Sequence, residues 1–88
     1  MSKRNNKMGI ETTILKIISK VSSVGISDIH LQSYFIRDLD FTALEFAEML
    51  NFMEEELNIK FSANDELNMN TVEELNKIAE QRGVRAFV

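Results

Sequence analysis

The sequence has no cysteine, no proline, no tryptophan, one histidine and three glycines. Without cysteine there is no disulfide, no thiolate metal site and no cysteine nucleophile, and this absence is compatible with a reducing cytoplasm. A single histidine, His30, is too few for a histidine metal cluster. With 88 residues, 44% of them hydrophobic, the chain has the size of one small domain that relies on packing alone.

Long hydrophobic runs are also missing. No segment approaches the length of a membrane span, and the basic start MSKRNNKMGIETT is not followed by an apolar signal-peptide core. We therefore expect a soluble, cytoplasmic protein without membrane contact. Three of the ten basic residues, Lys3, Arg4 and Lys7, lie in this leader, so residues 8–88 hold seven basic against fourteen acidic residues. This excess of acid disfavours nucleic acid as a partner and favours basic protein surfaces.

The hydrophobic spacing predicts helices and no strands. A first helical stripe runs from Ile10 to Val21, ends in the turn-forming segment SSVGIS, and is followed by a connection of about fifteen residues. Three apolar residues should anchor that connection to the core, namely Ile29, Phe35 and Leu39. A second helix is predicted from Ala43 to about Leu57, with the core stripe Phe46, Met49, Leu50, Met53 and Leu57.

The rest of the chain predicts one helical turn around Ala63 to Leu67 and a last helix that Gly83 ends. The last helix has the apolar stripe Val72, Leu75, Ile78 and Ala79. Two T-x-x-E patterns, Thr42 with Glu45 and Thr71 with Glu74, predict capping boxes at the starts of the second and last helices. The fold class is therefore all-α, a small helical bundle over residues 10–83, with a flexible polar leader (1–9) and a C-terminal tail (84–88).

Charge is most uneven along the second helix. No basic residue lies between Arg37 and Lys60, whereas seven acidic residues do. These acids have no basic partner four residues away in the helix, so their mutual repulsion destabilises it. A solvated face is the simpler interpretation, and a docking surface for a basic partner is the functional one. The face opposite the core stripe carries Leu44, Ala47, Glu48, Asn51 and Glu55, with Glu45 and Glu54 at its flanks.

Patterns typical of catalysis or metal binding are weak. Paired carboxylates such as Asp38 and Asp40 suggest acid–base chemistry, but that chemistry needs a buried group in a cleft. The segment NDELNMN lacks the glycine and the ligand spacing of a calcium loop. His30 has no nucleophile motif around it and is more simply a surface or loop residue. We predict no catalytic residue, no metal site and no enzyme activity.

The segment YFIRDLDFTALEFAEMLNFMEEELNIKFS resembles the central signature of the acyl carrier proteins of fatty acid and polyketide synthesis. In that signature an aromatic and aliphatic pair precedes Asp-Leu, a D-S-L motif follows, and an acidic helix ends in three glutamates. The resemblance extends without gaps from Ile10 to about Gly83, through IETTILKII and TVEELNKIA. It implies a four-helix bundle with a long first loop and a short third helix.

Members of this family carry a 4′-phosphopantetheine arm on the serine of D-S-L and hold acyl chains on it as thioesters. The resemblance implies partners of three kinds: a phosphopantetheinyl transferase, ketosynthases, and acyl-loading or acyl-transferring enzymes. Their basic patches would dock on the second helix of a carrier that is monomeric when alone. Carried over by position, the partner-facing residues are Leu44, Glu45, Ala47, Glu48, Asn51, Glu54 and Glu55.

The chain departs from the family at the motif itself, where it has Thr42, Ala43 and Leu44. Alanine has no oxygen that can attack coenzyme A, so no arm can be attached to Ala43. The Thr42 hydroxyl is expected to serve the helix cap and is displaced by one residue. Two accounts fit: a serine replaced to keep a carrier unmodified, or a natural arm-free relative that acts as an adaptor. We favour the replacement, because the surrounding motif is intact.

Overall fold

The computed structural model describes residues 6–86 and the side chains of residues 9–83. It has four α-helices, α1 (Asn6–Ser22), α2 (Ala43–Leu57), α3 (Ala63–Leu67) and α4 (Val72–Ala86), and a 3₁₀ turn, Ile26–Asp28, between α1 and α2. In this part of the chain no strand forms apart from one isolated bridge, Tyr34 to Thr71. No described helix is long and apolar enough to cross a bilayer. The predicted all-α four-helix bundle is confirmed.

One hydrophobic core lies between α1, α2 and α4, and α1 contacts both of the other two helices. Burial of each large aliphatic side chain there stabilises the fold by about 1.5–3 kcal/mol. Phe46 and Leu57, which were predicted to belong to the core stripe of α2, are half-buried and pack against its edge. The buried hydrophobic side chains of the three helices are Ile14, Ile17, Ile18, Met49, Leu50, Met53, Val72, Leu75 and Ala79.

The long connection between α1 and α2 is an ordered part of the core. The Phe35 ring lies edge-on to those of Phe41 and Phe46, with centroids 5.5 Å and 5.4 Å away. The Phe35 backbone N–H donates to the Asn70 carbonyl at 3.0 Å, which ties the connection to the segment before α4. The connection therefore delivers the chain to α2 in one fixed position. Its buried apolar residues are the three predicted ones and one more: Ile29, Phe35, Leu39 and Phe41.

The ends of α1 and α4 differ from the sequence prediction. α1 begins at Asn6 instead of Ile10, and α4 continues past Gly83 to Ala86. Gly83 is buried, and a Cβ atom there would lie 3.0 Å from Ile10 Cδ1, so this glycine permits close packing of α4 on α1 and does not end the helix. Residues 1–5 and 87–88 of the predicted leader and tail lie outside the described residues, and the domain boundaries stay predictions.

α3 is a short helix that is fixed at its start and to α4. Ser62 Oγ accepts a hydrogen bond from the Asp65 backbone N–H at 3.0 Å, and Asp65 Oδ2 accepts from that of Ser62 at 2.9 Å. The Asp65 carboxylate also accepts from Arg82 Nη2 at 2.6 Å and Nε at 3.0 Å. The hydrogen bond from Arg82 is the largest cause of a lowered Asp65 pKa, and it outweighs the opposing effect of burial. This ion pair anchors α3 to α4.

Candidate functional site at the start of α2

Thr42 and Glu45 form the capping box that the sequence predicts at the start of α2. Thr42 Oγ1 accepts a hydrogen bond from the Glu45 backbone N–H at 3.1 Å, and Glu45 Oε1 accepts from the Thr42 backbone N–H at 3.0 Å. Two backbone donors that the first turn leaves free are thereby satisfied. The Thr42 oxygen is thus engaged in the helix cap, as expected.

Ala43 is the first residue of α2 and is exposed to solvent. The chain before it is held in place, because Leu39 and Phe41 are buried and the Phe41 backbone N–H donates to the Phe35 carbonyl at 2.9 Å. Position 43 is therefore a rigid, accessible point at a helix N-terminus. Its side chain is a methyl group, which does not fit covalent attachment of a phosphopantetheine arm, since no nucleophilic oxygen is present.

The predicted partner-facing residues lie along one side of α2, and most of them are exposed. Leu44 is a large hydrophobic residue and is nevertheless 71% exposed. Ala47, Glu48, Asn51 and Glu55 are exposed, whereas Glu45 and Glu54 are half-buried. The structure thus places the seven residues together on an acidic surface with an apolar residue at its N-terminal end.

Glu54 differs from the adjacent Glu55 because its carboxylate accepts a hydrogen bond from the backbone. Its Oε2 accepts a hydrogen bond from the Phe61 backbone N–H at 2.9 Å, which closes the turn between α2 and α3. Asn58 caps α2 in a left-handed conformation with φ of 55°. A groove of about 620 Å³ lies at this end of α2, lined by Asn51, Glu54, Glu55, Asn58, Ile59 and Lys60. Glu54 therefore supports the fold at the edge of the acidic surface, a role that the sequence analysis did not predict.

A cavity of about 270 Å³ lies beside the same helix start. Phe46, one helical turn after Ala43, forms part of its wall, so the cavity and position 43 lie on neighbouring parts of α2. The sequence does not indicate this cavity, since its walls come from three separate segments. The lining residues are Tyr34, Phe35, Ile36, Arg37, Phe46, Glu66, Met69 and Asn70.

The remaining candidate chemistry is not assembled into a site. His30 is exposed and lines an open hollow together with Asp28 and Asp38. Asp38 accepts a hydrogen bond from the Tyr34 backbone N–H at 2.8 Å, so its carboxylate stabilises the connection. Within the described residues, no three His, Cys, Asp or Glu side chains are placed so that they could hold a metal ion.

Fold and site together define a small helical bundle with a rigid, exposed position at the start of an acidic helix. A search for matching family models found none. The acyl carrier protein of Buchnera aphidicola subsp. Schizaphis graminum (strain Sg) is 34% identical to the chain over 64 residues, which are 73% of this chain and 81% of that protein. The chain therefore belongs to the acyl carrier protein family. Proteins of this family are carriers and not enzymes, and their usual form bears 4′-phosphopantetheine.

Proposed function

We propose that this chain is an acyl carrier protein in a form that cannot be charged, because alanine occupies the attachment position. The observation that carries the proposal is the exposed methyl group of Ala43 at the first position of an intact, capped α2. With serine at position 43, the chain would carry acyl or polyketide intermediates as thioesters on a 4′-phosphopantetheine arm. The same helix N-terminus would favour the negative charge of the phosphate group.

The Ala43→Ser variant tests this proposal directly. Incubated with coenzyme A and a broad-specificity phosphopantetheinyl transferase, it should gain the mass of one phosphopantetheine group, measured on the intact protein. The unmodified Ala43 protein is the matched control and should gain nothing, since the Thr42 oxygen serves the cap. A folded Ala43→Ser variant that stays unmodified would contradict the proposal, and modification of the Ala43 protein would move the site to Thr42.

The partners proposed for the serine form are a phosphopantetheinyl transferase, ketosynthases and acyl-loading or acyl-transferring enzymes. Their basic patches would meet the acidic surface of α2, while the exposed Leu44 supplies an apolar contact. Glu48 is exposed near the middle of that surface. The protein would act in the cytoplasm and would be monomeric when alone.

Charge reversal tests the docking surface. In the Ala43→Ser background, Glu48→Lys should slow arm transfer at limiting carrier concentration by about threefold to tenfold, because it places a like charge opposite a basic partner. Glu56→Lys is the matched control: Glu56 is an exposed acid of α2 outside the proposed surface, and it should have a smaller effect. Circular dichroism should show the same helix content for both variants. Equal rates for the two would mean that the acidic surface is only solvated.

A second candidate function follows from Ala43 itself. If alanine is the natural residue, the chain is an arm-free relative that binds basic enzyme surfaces through the same acidic side of α2. The absence of a nucleophilic side chain at position 43 favours this adaptor, while the intact capping box around it favours the carrier. Failure of Ala43→Ser to accept the arm, with Glu48-dependent binding to a basic partner retained, would select the adaptor.

A further inference from the structure

Arg37 is an isolated cation beside the acidic surface of α2. No other lysine or arginine occurs from residue 21 to residue 59. The Arg37 side chain is 72% exposed, whereas the adjacent Phe35–Phe41 aromatic pair is buried. Arg37 also lies close to position 43, because it lines the same cavity as Phe46, which is one helical turn after Ala43. An enzyme that reaches position 43 while lying along α2 therefore covers or borders Arg37.

The segment that carries Arg37 is held in one conformation. The Asp38 and Leu39 backbone N–H groups both donate to the Tyr34 carbonyl, at 2.9 Å and 3.1 Å. In return, Asp38 Oδ2 accepts a hydrogen bond from the Tyr34 backbone N–H at 2.8 Å. The Arg37 guanidinium lies over the Tyr34 ring, with its Cζ atom 4.1 Å from the ring centroid. A fixed backbone and a stacked guanidinium reduce the entropy that Arg37 would lose on binding, so the cation is preorganised at an exposed point.

Arg37 keeps the capacity to bind a second carboxylate. Its Nε atom lies 3.6 Å from Asp38 Oδ1, which is longer than a hydrogen bond, and the Asp38 side chain is itself 43% exposed. A guanidinium has five N–H donors and pairs with a carboxylate through two parallel bonds. Ile36, next to Arg37, is 63% exposed and Tyr34 is 40% exposed. Exposed arginine and tyrosine beside an apolar side chain are typical of protein interfaces.

The positive charge of Arg37 conflicts with a partner surface that is basic throughout. The exposed acids of α2, among them Glu48 and Glu55, favour basic side chains on the enzyme. A basic side chain opposite Arg37 would bring two like charges together in an interface, and this lowers affinity. A carboxylate at the same place would instead form a bidentate pair. Arg37 therefore distinguishes between partners that the acidic surface alone would accept equally.

We propose that Arg37 is a specificity-determining residue, and that the enzymes that dock on α2 present a carboxylate opposite Arg37, beside their basic patch. This inference rests on the proposed function and adds to it the charge pattern of the partner. A partner whose docking surface is basic throughout is rejected by the same side chain.

Calorimetric titration of the unchanged Ala43 protein with the phosphopantetheinyl transferase encoded in the same genome tests the proposal. Because Ala43 cannot react, the complex does not turn over during the measurement. Arg37→Gln should raise the Kd about twofold to fivefold, and Arg37→Glu should raise it about tenfold, since it sets two carboxylates against each other. Lys77→Gln removes an exposed cation of α4 and is the matched control, which should leave the Kd unchanged. The differences should shrink at high salt, where exposed charges are screened.

A charge swap identifies the carboxylate of the partner. Each Asp and Glu around the active site of the transferase is changed to Lys in turn, and one of these variants should bind Arg37→Glu about tenfold more tightly than the unchanged transferase does. The proposal is overturned by absence of measurable binding, by an Arg37→Glu Kd equal to or below that of the native protein, or by rescue with none of the transferase variants. Arm transfer to Ala43→Ser by the same transferase tests the proposed function separately, and transfer without any effect of Arg37 removes this inference alone.

Discussion

Glu54 and Glu55 are adjacent in the sequence and have different roles. Glu55 is exposed on the acidic side of α2, as the helical wheel predicts. The Glu54 carboxylate instead accepts the Phe61 backbone N–H, seven residues away, across a turn. No periodic pattern indicates such a bond, because its geometry depends on the left-handed conformation of Asn58. The helical spacing therefore indicates which acids lie on a helix face, but it does not indicate which of them bond to the backbone.

Asn76 of α4 is a buried polar residue whose substitution should stabilise the protein. Its side chain amide oxygen, Oδ1, has no hydrogen-bond partner among the described residues, and the residue is 7% exposed. An unsatisfied buried carbonyl costs about 1–3 kcal/mol, and leucine has a similar size without that group. Asn76→Leu should raise the free energy of unfolding by about 1 kcal/mol. In urea denaturation, the midpoint should rise while the slope stays constant.

The control for this substitution is Asn76→Asp, which keeps the shape and places a charge in the same environment. It should destabilise the fold at neutral pH, because a buried unpaired carboxylate is poorly solvated. If Asn76→Leu also destabilises the fold, Oδ1 has a partner such as an internal water molecule, and the residue is a satisfied polar group of the core.

Among the helices, the sequence predicts α2 and α3 better than the outer ends of α1 and α4. The α2 bounds follow from local signals, namely the capping box at Thr42 and the apolar stripe that ends near Leu57. Gly83 is a strong local signal for a helix end, yet α4 continues through it. Its packing against Ile10 is a contact between the two ends of the chain, and local propensity does not describe such contacts. The Asp65–Arg82 pair likewise joins residues that are distant in sequence, and local propensity does not predict it.

A double-mutant cycle on Gly83 and Ile10 tests whether the glycine serves helix packing. Alanine is the better helix former by about 1 kcal/mol, but its Cβ atom at position 83 would lie 3.0 Å from Ile10 Cδ1. Ile10→Val removes that Cδ1 atom. Gly83→Ala should therefore stabilise the Ile10→Val protein by about 1 kcal/mol and the native protein by less. Thermal denaturation of the four proteins measures the difference, and equal gains in both backgrounds would show that the contact is absent.

Polar contacts hold the long connection and α3 against α4. The backbone N–H groups of Val72 and Glu73 donate to the carbonyls of Ser33 and Leu31 at 3.1 Å and 2.9 Å. Arg82 reaches α3 across seventeen residues of sequence through its bonds to Asp65. Asp65 is well shielded, with 7% of its side chain exposed, and Arg82 is partly covered at 28%. Since residues of the connection and of α3 line the cavity beside α2, these polar contacts also help to define the shape of that cavity.

The Asp65–Arg82 pair should make the stability of the whole fold depend on pH. The Arg82 hydrogen bond holds the pKa of the Asp65 carboxyl group below its ordinary value of 3.8, so the folded state favours the ionised carboxylate. The stabilisation is complete well above pH 3.8 and is lost as the pH falls through the lower, folded-state pKa. Asp65→Asn should lower the free energy of unfolding by about 1–3 kcal/mol at pH 7. A neutral amide replaces the carboxylate, so the hydrogen bonds that Arg82 donates to position 65 become weaker.

Urea denaturation of the native protein and Asp65→Asn between pH 7 and pH 2 measures this contribution. The difference in free energy of unfolding should stay constant down to about one unit above the ordinary aspartate pKa and should shrink below it. Glu66→Gln is the matched control, because Glu66 is the next acid in α3, is exposed and makes no bond to Arg82. Its difference from the native protein should be small throughout. A constant difference for Asp65→Asn at all pH values would mean that shape, and not ionisation, joins α3 to α4.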